Sequence, residues 1–98
     1  MAVTITCTPA SPVAKKDFCR LDVAGASTNR ADHSEYRYYL TFENASSEIL
    51  GKSYVFNVSS AGLHSFNNYI MPTTLVTKVV LHDKADNSVV KSQAITVS

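Results

Sequence analysis

The chain has no tryptophan, three glycines, three prolines and two cysteines in 98 residues, and no long apolar run. Each shortage excludes something. No apolar stretch nears the ~20 residues that a membrane-spanning helix needs, so no membrane partner is expected. Two cysteines without a neighbouring histidine pair do not make a zinc site. There are no internal repeats, low-complexity tracts or linkers, and the length suits one domain over residues 1–98. Charge of one sign is missing too. Nine basic and eight acidic residues are scattered singly, giving a net +1, and Lys15-Lys16 is the only adjacent basic pair. A nucleic-acid binder would show a basic stripe, so no nucleic-acid partner is expected. Hydrophobic content of 45% is ordinary for a globular chain and argues against disorder.

What is present favours strands. Ser and Thr number 21 and Val 11, while Leu is scarce, a bias toward extended structure and turns. Val3, Ile5 and Cys7 alternate with threonines until Pro9 and Pro12 end the run. Cys19, Leu21 and Val23 alternate with Phe18, Arg20 and Asp22. After a polar loop over residues 25–34, Tyr36, Tyr38, Leu40 and Phe42 make an inward face at the centre of a sheet, with Arg37, Tyr39 and Thr41 outward. A turn at Asn44–Ser47 leads to a fourth strand through Tyr54, Phe56 and Val58. Residues 63–71 alternate poorly, and helical spacing from Phe66 to Ile70 fits about as well; the reading is a short irregular strand before the turn at Pro72-Thr73-Thr74. The last stretch reads as a β-hairpin around Asp83–Asn87. Leu75, Thr77, Val79 and Leu81 are expected on one face, Val76, Lys78, Val80 and His82 on the other, and Ile95 and Val97 inward. Seven strands with turns every 8–12 residues predict an all-β sandwich.

The opening Val3-Thr-Ile-Thr-Cys-Thr-Pro-Ala-Ser-Pro-Val, the run Thr77-Lys-Val-Val-Leu-His-Asp-Lys-Ala-Asp-Asn and the closing Ala94-Ile-Thr-Val-Ser resemble the first strand, final hairpin and last strand of bacterial immunoglobulin-like and PKD-like domains. Together they cover about half the chain. The resemblance implies a single immunoglobulin-like β-sandwich of about seven antiparallel strands and carries no active site. The chain departs from the PKD pattern at Leu40-Thr-Phe-Glu-Asn44, where a Trp and a Gly-Asp-Gly turn belong. It also lacks the Cys…Trp…Cys core of antibody domains.

Candidate chemistry is sparse. Cys7 and Cys19 lie in register with inward residues and are disulfide candidates; the alternative is a pair of reduced, buried thiols. His33, His64 and His82 fall on different elements. Asp32-His33-Ser34-Glu35 holds ligand-type residues, but neighbours in a loop seldom converge on one point. No Gly-x-Ser-x-Gly elbow is present. An enzyme, a cofactor and a bound metal are therefore not expected. Asp83–Asn87 offers oxygens but does not match an EF-hand loop and suits a turn. Asn44-Ala-Ser46 and Asn57-Val-Ser59 match a glycosylation pattern that a chain rich in Asn and Ser produces by chance. Outward apolar side chains carry more weight: Phe18, Tyr39, Val76 and Val80 would form a protein-binding patch if they share one surface.

The N-terminal residues lack the basic start and apolar core of a secretory signal. The expectation is synthesis in a host cytoplasm, or trimming from a precursor. With the fold resemblance, this implies a virion structural protein such as the decoration (cement) proteins of tailed-phage heads. The expected partners are the major capsid protein and further copies of the chain, as a homotrimer. The expected contact residues are Phe18, Arg20, Tyr39, Phe66, Tyr69 and Met71. The alternative is an adhesion or spacer module of a bacterial surface or secreted protein.

Overall fold

Period-two alternation becomes seven strands in a computed structural model, which describes residues 3–27 and 37–98. In chain order they are β1 (Thr4–Thr8), β2 (Phe18–Ala24), β3 (Tyr38–Glu43), β4 (Ile49–Lys52), β5 (His64–Ile70), β6 (Lys78–Asp83) and β7 (Val89–Ala94). All pairings are antiparallel, in a three-stranded sheet ordered β1-β2-β5 and a four-stranded sheet ordered β4-β3-β6-β7. Among the described residues there is no helix. The molecule is an all-β sandwich. The loop expected over 25–34 lies mostly outside the described residues, as do Tyr36 and the Asp32–Glu35 group.

The core sits between the sheets. Cys19, Leu21 and Val23 from β2 face Tyr38, Leu40 and Phe42 from β3, with Val79 and Leu81 from β6. Removing a side chain such as Leu21 or Leu81 from water contributes about 1.5–3 kcal/mol. Phe42 and Tyr69 stack across the two layers, ring centroids 4.3 Å apart. Polar side chains close the turns. Asn44 Oδ1 accepts from the Ser46 and Glu48 N–H groups at 3.0 and 2.9 Å, and Asp83 and Asp86 do the same for Ala85 and Ser88. Gly62 has φ +79°, and a Cβ there would lie 2.6 Å from the Ala26 carbonyl oxygen, so only glycine fits this close approach.

The structure corrects three expectations. No strand runs through Tyr54–Val58. The fourth strand is Ile49–Lys52, because the tight turn after β3 returns the chain beside it at once. Residues 53–58 instead cross from one sheet to the other, touching β3 through the Tyr38–Phe56 bridge, with Phe56 and Val58 as buried anchors. In the closing hairpin, Leu75 is 62% exposed and Val76 is in the core, since β6 begins only at Lys78 and alternation does not extend back into the loop. Val80 does point outward, yet it is buried. Val97 joins the core and Ile95 packs against it.

Candidate functional site

The expected contact residues do not form one surface. Phe18 and Arg20 lie on the outer face of the three-stranded sheet, and Tyr39 on the outer face of the four-stranded sheet. The sandwich stands between them. Met71 has no exposed surface, and Phe66 is buried in the core, so neither can present a docking face. Tyr69 is half-buried against Phe42, and burial raises its hydroxyl above the usual tyrosine range. Val76 is lost to the core as well.

Strand polarity gathers other apolar residues. β2, β4 and β6 begin where β1, β3, β5 and β7 finish. At that end Phe18, 63% exposed, sits directly opposite exposed Ile70 in the β2–β5 register. Ile49 opens β4 there, and Leu75 and Val13 lie in the adjoining connections; all three are exposed. The Lys15 N–H bonds to the Met71 carbonyl and the Ala14 N–H to that of Ser98, which draws the Val13 segment to this end. Of the five, the sequence pattern singles out only Phe18 by name, with Ile70 falling inside the 63–71 stretch that is also expected to make contacts. Ile49, Ile70, Leu75 and Val13 sit at strand ends or in loops, where periodicity carries no signal.

A second feature is an open groove of about 410 Å³ between Lys52, which ends β4, with Ser53 and Tyr54 just after it, and residues 65–69 of β5. Tyr54, 61% exposed, forms one wall. Its hydroxyl meets His64 Nε2 at 3.0 Å, and its ring lies edge-on to Phe56 and His64 and tilted against Phe66. Burial lowers the His64 pKa below 6.5. Lys52 and Ser53 also line a smaller hollow of about 230 Å³ beside Tyr39, Lys84 and Asn87.

Outward side chains on β3 and β6 form a closed polar cluster. Thr41 has no exposed surface; its hydroxyl donates to Glu43 Oε2 and so accepts from His82 Nε2 at 2.8 Å. Lys78 Nζ stands 3.9 Å from Glu43 Oε1. The Tyr39 ring stacks on His82 at 4.9 Å, and its hydroxyl donates to Asn87 Oδ1 at 2.8 Å. Thr41 is thus committed within the protein and offers no oxygen to a substrate.

Cys7 and Cys19 are free thiols. Cys7 pairs with Leu21, which makes Cys19 its diagonal neighbour. The two thiols lie within hydrogen-bonding reach of each other across β1 and β2. Burial, followed by the adjacent Cys19, pushes the Cys7 thiol up to about 12. Among the described residues no group of three or more His, Cys, Asp or Glu is placed to hold a metal ion, and no helix is long and apolar enough to cross a membrane. Comparison with protein-family models, curated proteins and solved structures gives no match.

Proposed function

We propose that the chain is a non-enzymatic virion structural protein, a decoration protein that binds the outside of an assembled phage head and stabilises it. The observation that carries this reading is the apolar end: Phe18 and Ile70 side by side in the β2–β5 register, with Val13, Ile49 and Leu75 also exposed at the end where the strands terminate. Such side chains gain by leaving water, and an aromatic with aliphatic neighbours suits the centre of a protein contact. The strand order β1-β2-β5 and β4-β3-β6-β7 supports an immunoglobulin-like identity for the sandwich. The mechanism would be mass action: a domain that binds only the assembled lattice of major capsid subunits stabilises that lattice. Copies grouped as a trimer raise one another's effective concentration.

Density-gradient fractionation of the producing culture, with mass spectrometry of each band, tests the reading. The intact chain is expected to band with virus-sized particles. Phe18→Ser and Ile70→Thr chains are expected to stay in the light fractions while melting at an unchanged temperature. Recovery only as peptides of a longer chain, in the medium or cell envelope, would overturn it. The alternative, an adhesion or spacer module of a bacterial surface or secreted protein, is favoured by a different observation, the exposed tyrosine and amides of the groove.

A further inference from the structure

The groove beside Tyr54 and the hollow beside Tyr39 share Lys52 and Ser53, so they adjoin as one strip that runs from the side of the sandwich, around the β4 edge, to the outer face of the four-stranded sheet. Three properties of the strip define what it would take. The Tyr54 ring is open to solvent yet fixed. Ser53 Oγ accepts the Leu40 N–H at 2.8 Å, the Ser53 N–H donates to the Leu40 carbonyl at 2.9 Å, and His64 holds the Tyr54 hydroxyl. An exposed aromatic face already immobilised loses little rotamer freedom when something stacks on it.

Next to that face stand the Asn67 and Asn68 side chains, both exposed and, among the described residues, without a hydrogen-bond partner. An amide offers two donors and an acceptor side by side, which matches adjacent hydroxyl groups that each donate and accept. Finally, the lining of the two hollows contains Lys52 and Lys84 but neither Asp nor Glu. Two lysines are too few for a nucleic-acid footprint, but they complement isolated carboxylates.

We infer that this strip binds an acidic oligosaccharide, with one pyranose ring stacked on Tyr54, its hydroxyls bonded to Asn67 and Asn68, and its carboxylates paired with Lys52 and Lys84. Apolar ring faces, dense hydroxyls and spaced negative charge occur together in uronic-acid saccharides. The open ends of the strip suit an internal stretch of a polymer. The inference does not rest on the capsid reading: particle binding belongs to the apolar end, which the Tyr54 and Asn variants leave intact.

The test is NMR titration of the full chain with tetra-galacturonate, and with a neutral gluco-oligosaccharide of equal length. Saturable shifts confined to residues 52–55, 65–69 and 84–87 are expected, tighter for the acidic sugar and weakened by salt. Tyr54→Ala is expected to weaken binding about tenfold or more. Lys52→Gln with Lys84→Gln should bring the acidic sugar down to the neutral one. Should Tyr54→Ala disturb folding, Asn67→Ala with Asn68→Ala removes two unpartnered exposed amides and still lowers affinity. No shift with either sugar at millimolar concentration overturns the inference, as does equal affinity for the two or indifference to these substitutions. An extended peptide adding to the β5 edge while sugars do nothing would overturn it in favour of a protein ligand.

Discussion

The two outer faces of the sandwich are both made by side chains that alternate away from the core, and they behave in opposite ways. On the three-stranded sheet, Thr4, Thr6, Thr8, Phe18 and Arg20 are exposed to water. On the four-stranded sheet, Thr41, Glu43 and Val80 are buried, beneath the stacked Tyr39 and His82 rings and beside Lys78, with His82 and Lys78 both reaching Glu43. The difference follows from position. Thr41 and Val80 face each other on the two central strands, where long neighbours on both sides close over them. A three-stranded sheet has only one central strand, and β1 at its edge carries short threonines. Outward therefore does not mean exposed, and a polar group that is outward and buried has to find its partners inside the protein.

That contrast can be broken by substitution. Glu43→Ala should destabilise the fold most, by roughly 3 kcal/mol in urea unfolding, because it strips partners from Thr41, Lys78 and His82 in a buried setting. A loss as small as that of a surface residue would mean the cluster does not hold the closed face. Thr41→Val keeps shape and removes one hydroxyl, leaving Glu43 and His82 short of a bond; a cost of about 1–3 kcal/mol is expected. The matched change on the open face, Thr6→Val, should stay within about 0.5 kcal/mol. Equal costs in the two would abolish the distinction.

Acidity sharpens the comparison at smaller amplitude. His64 is partly buried, stacked on Phe56, and its pKa is lowered by desolvation. The unfolded chain therefore takes up a proton near pH 6.5 that the folded chain refuses until lower pH. Stability from this group is complete above that value and declines as pH falls through the window beneath it. Melting temperature should drop between pH 7 and 5, and His64→Gln should flatten the slope; an unchanged slope would assign the decline to other groups. Asp22 on the open face is lowered chiefly by the Ser65 hydroxyl, then by Arg20. Its contribution is present above pH 3.8 and is lost as pH falls through the lowered value. Being near the surface, it should move the acid limb least, and Ser65→Ala should move that limb toward higher pH. Arg20→Ala, which removes an exposed ion pair with Asp22, should cost no more than about 0.5 kcal/mol.

The candidate surfaces were only partly legible in the chain. Phe18 stood out because it interrupts a polar face within a strongly alternating strand. Its partner Ile70 did not, since β5 contains a register shift against β2 between Cys19 and Leu21, and alternation there is broken. Phe66 and Met71 read as a surface aromatic and thioether in an irregular stretch, whereas Phe66 turns its ring inward from an edge strand and Met71, just after that strand, is fully buried. Tyr54 read as a strand residue; it lies in a crossing, where the backbone leaves the ladder and the ring turns out.

The sequence by itself determined the all-β class, the inward faces of β1, β2, β3 and β6, and the turns at Asn44–Ser47 and Asp83–Asn87. These depend on side-chain period and on Asn and Asp bonding their own backbone, which are local. Only the tertiary structure decided which outward residues are covered, which strand ends meet, and that Tyr54, Asn67 and Lys84 share one strip. Those depend on strand order and on which edges lie side by side, and residues brought together by pairing between distant segments leave no mark in the local pattern.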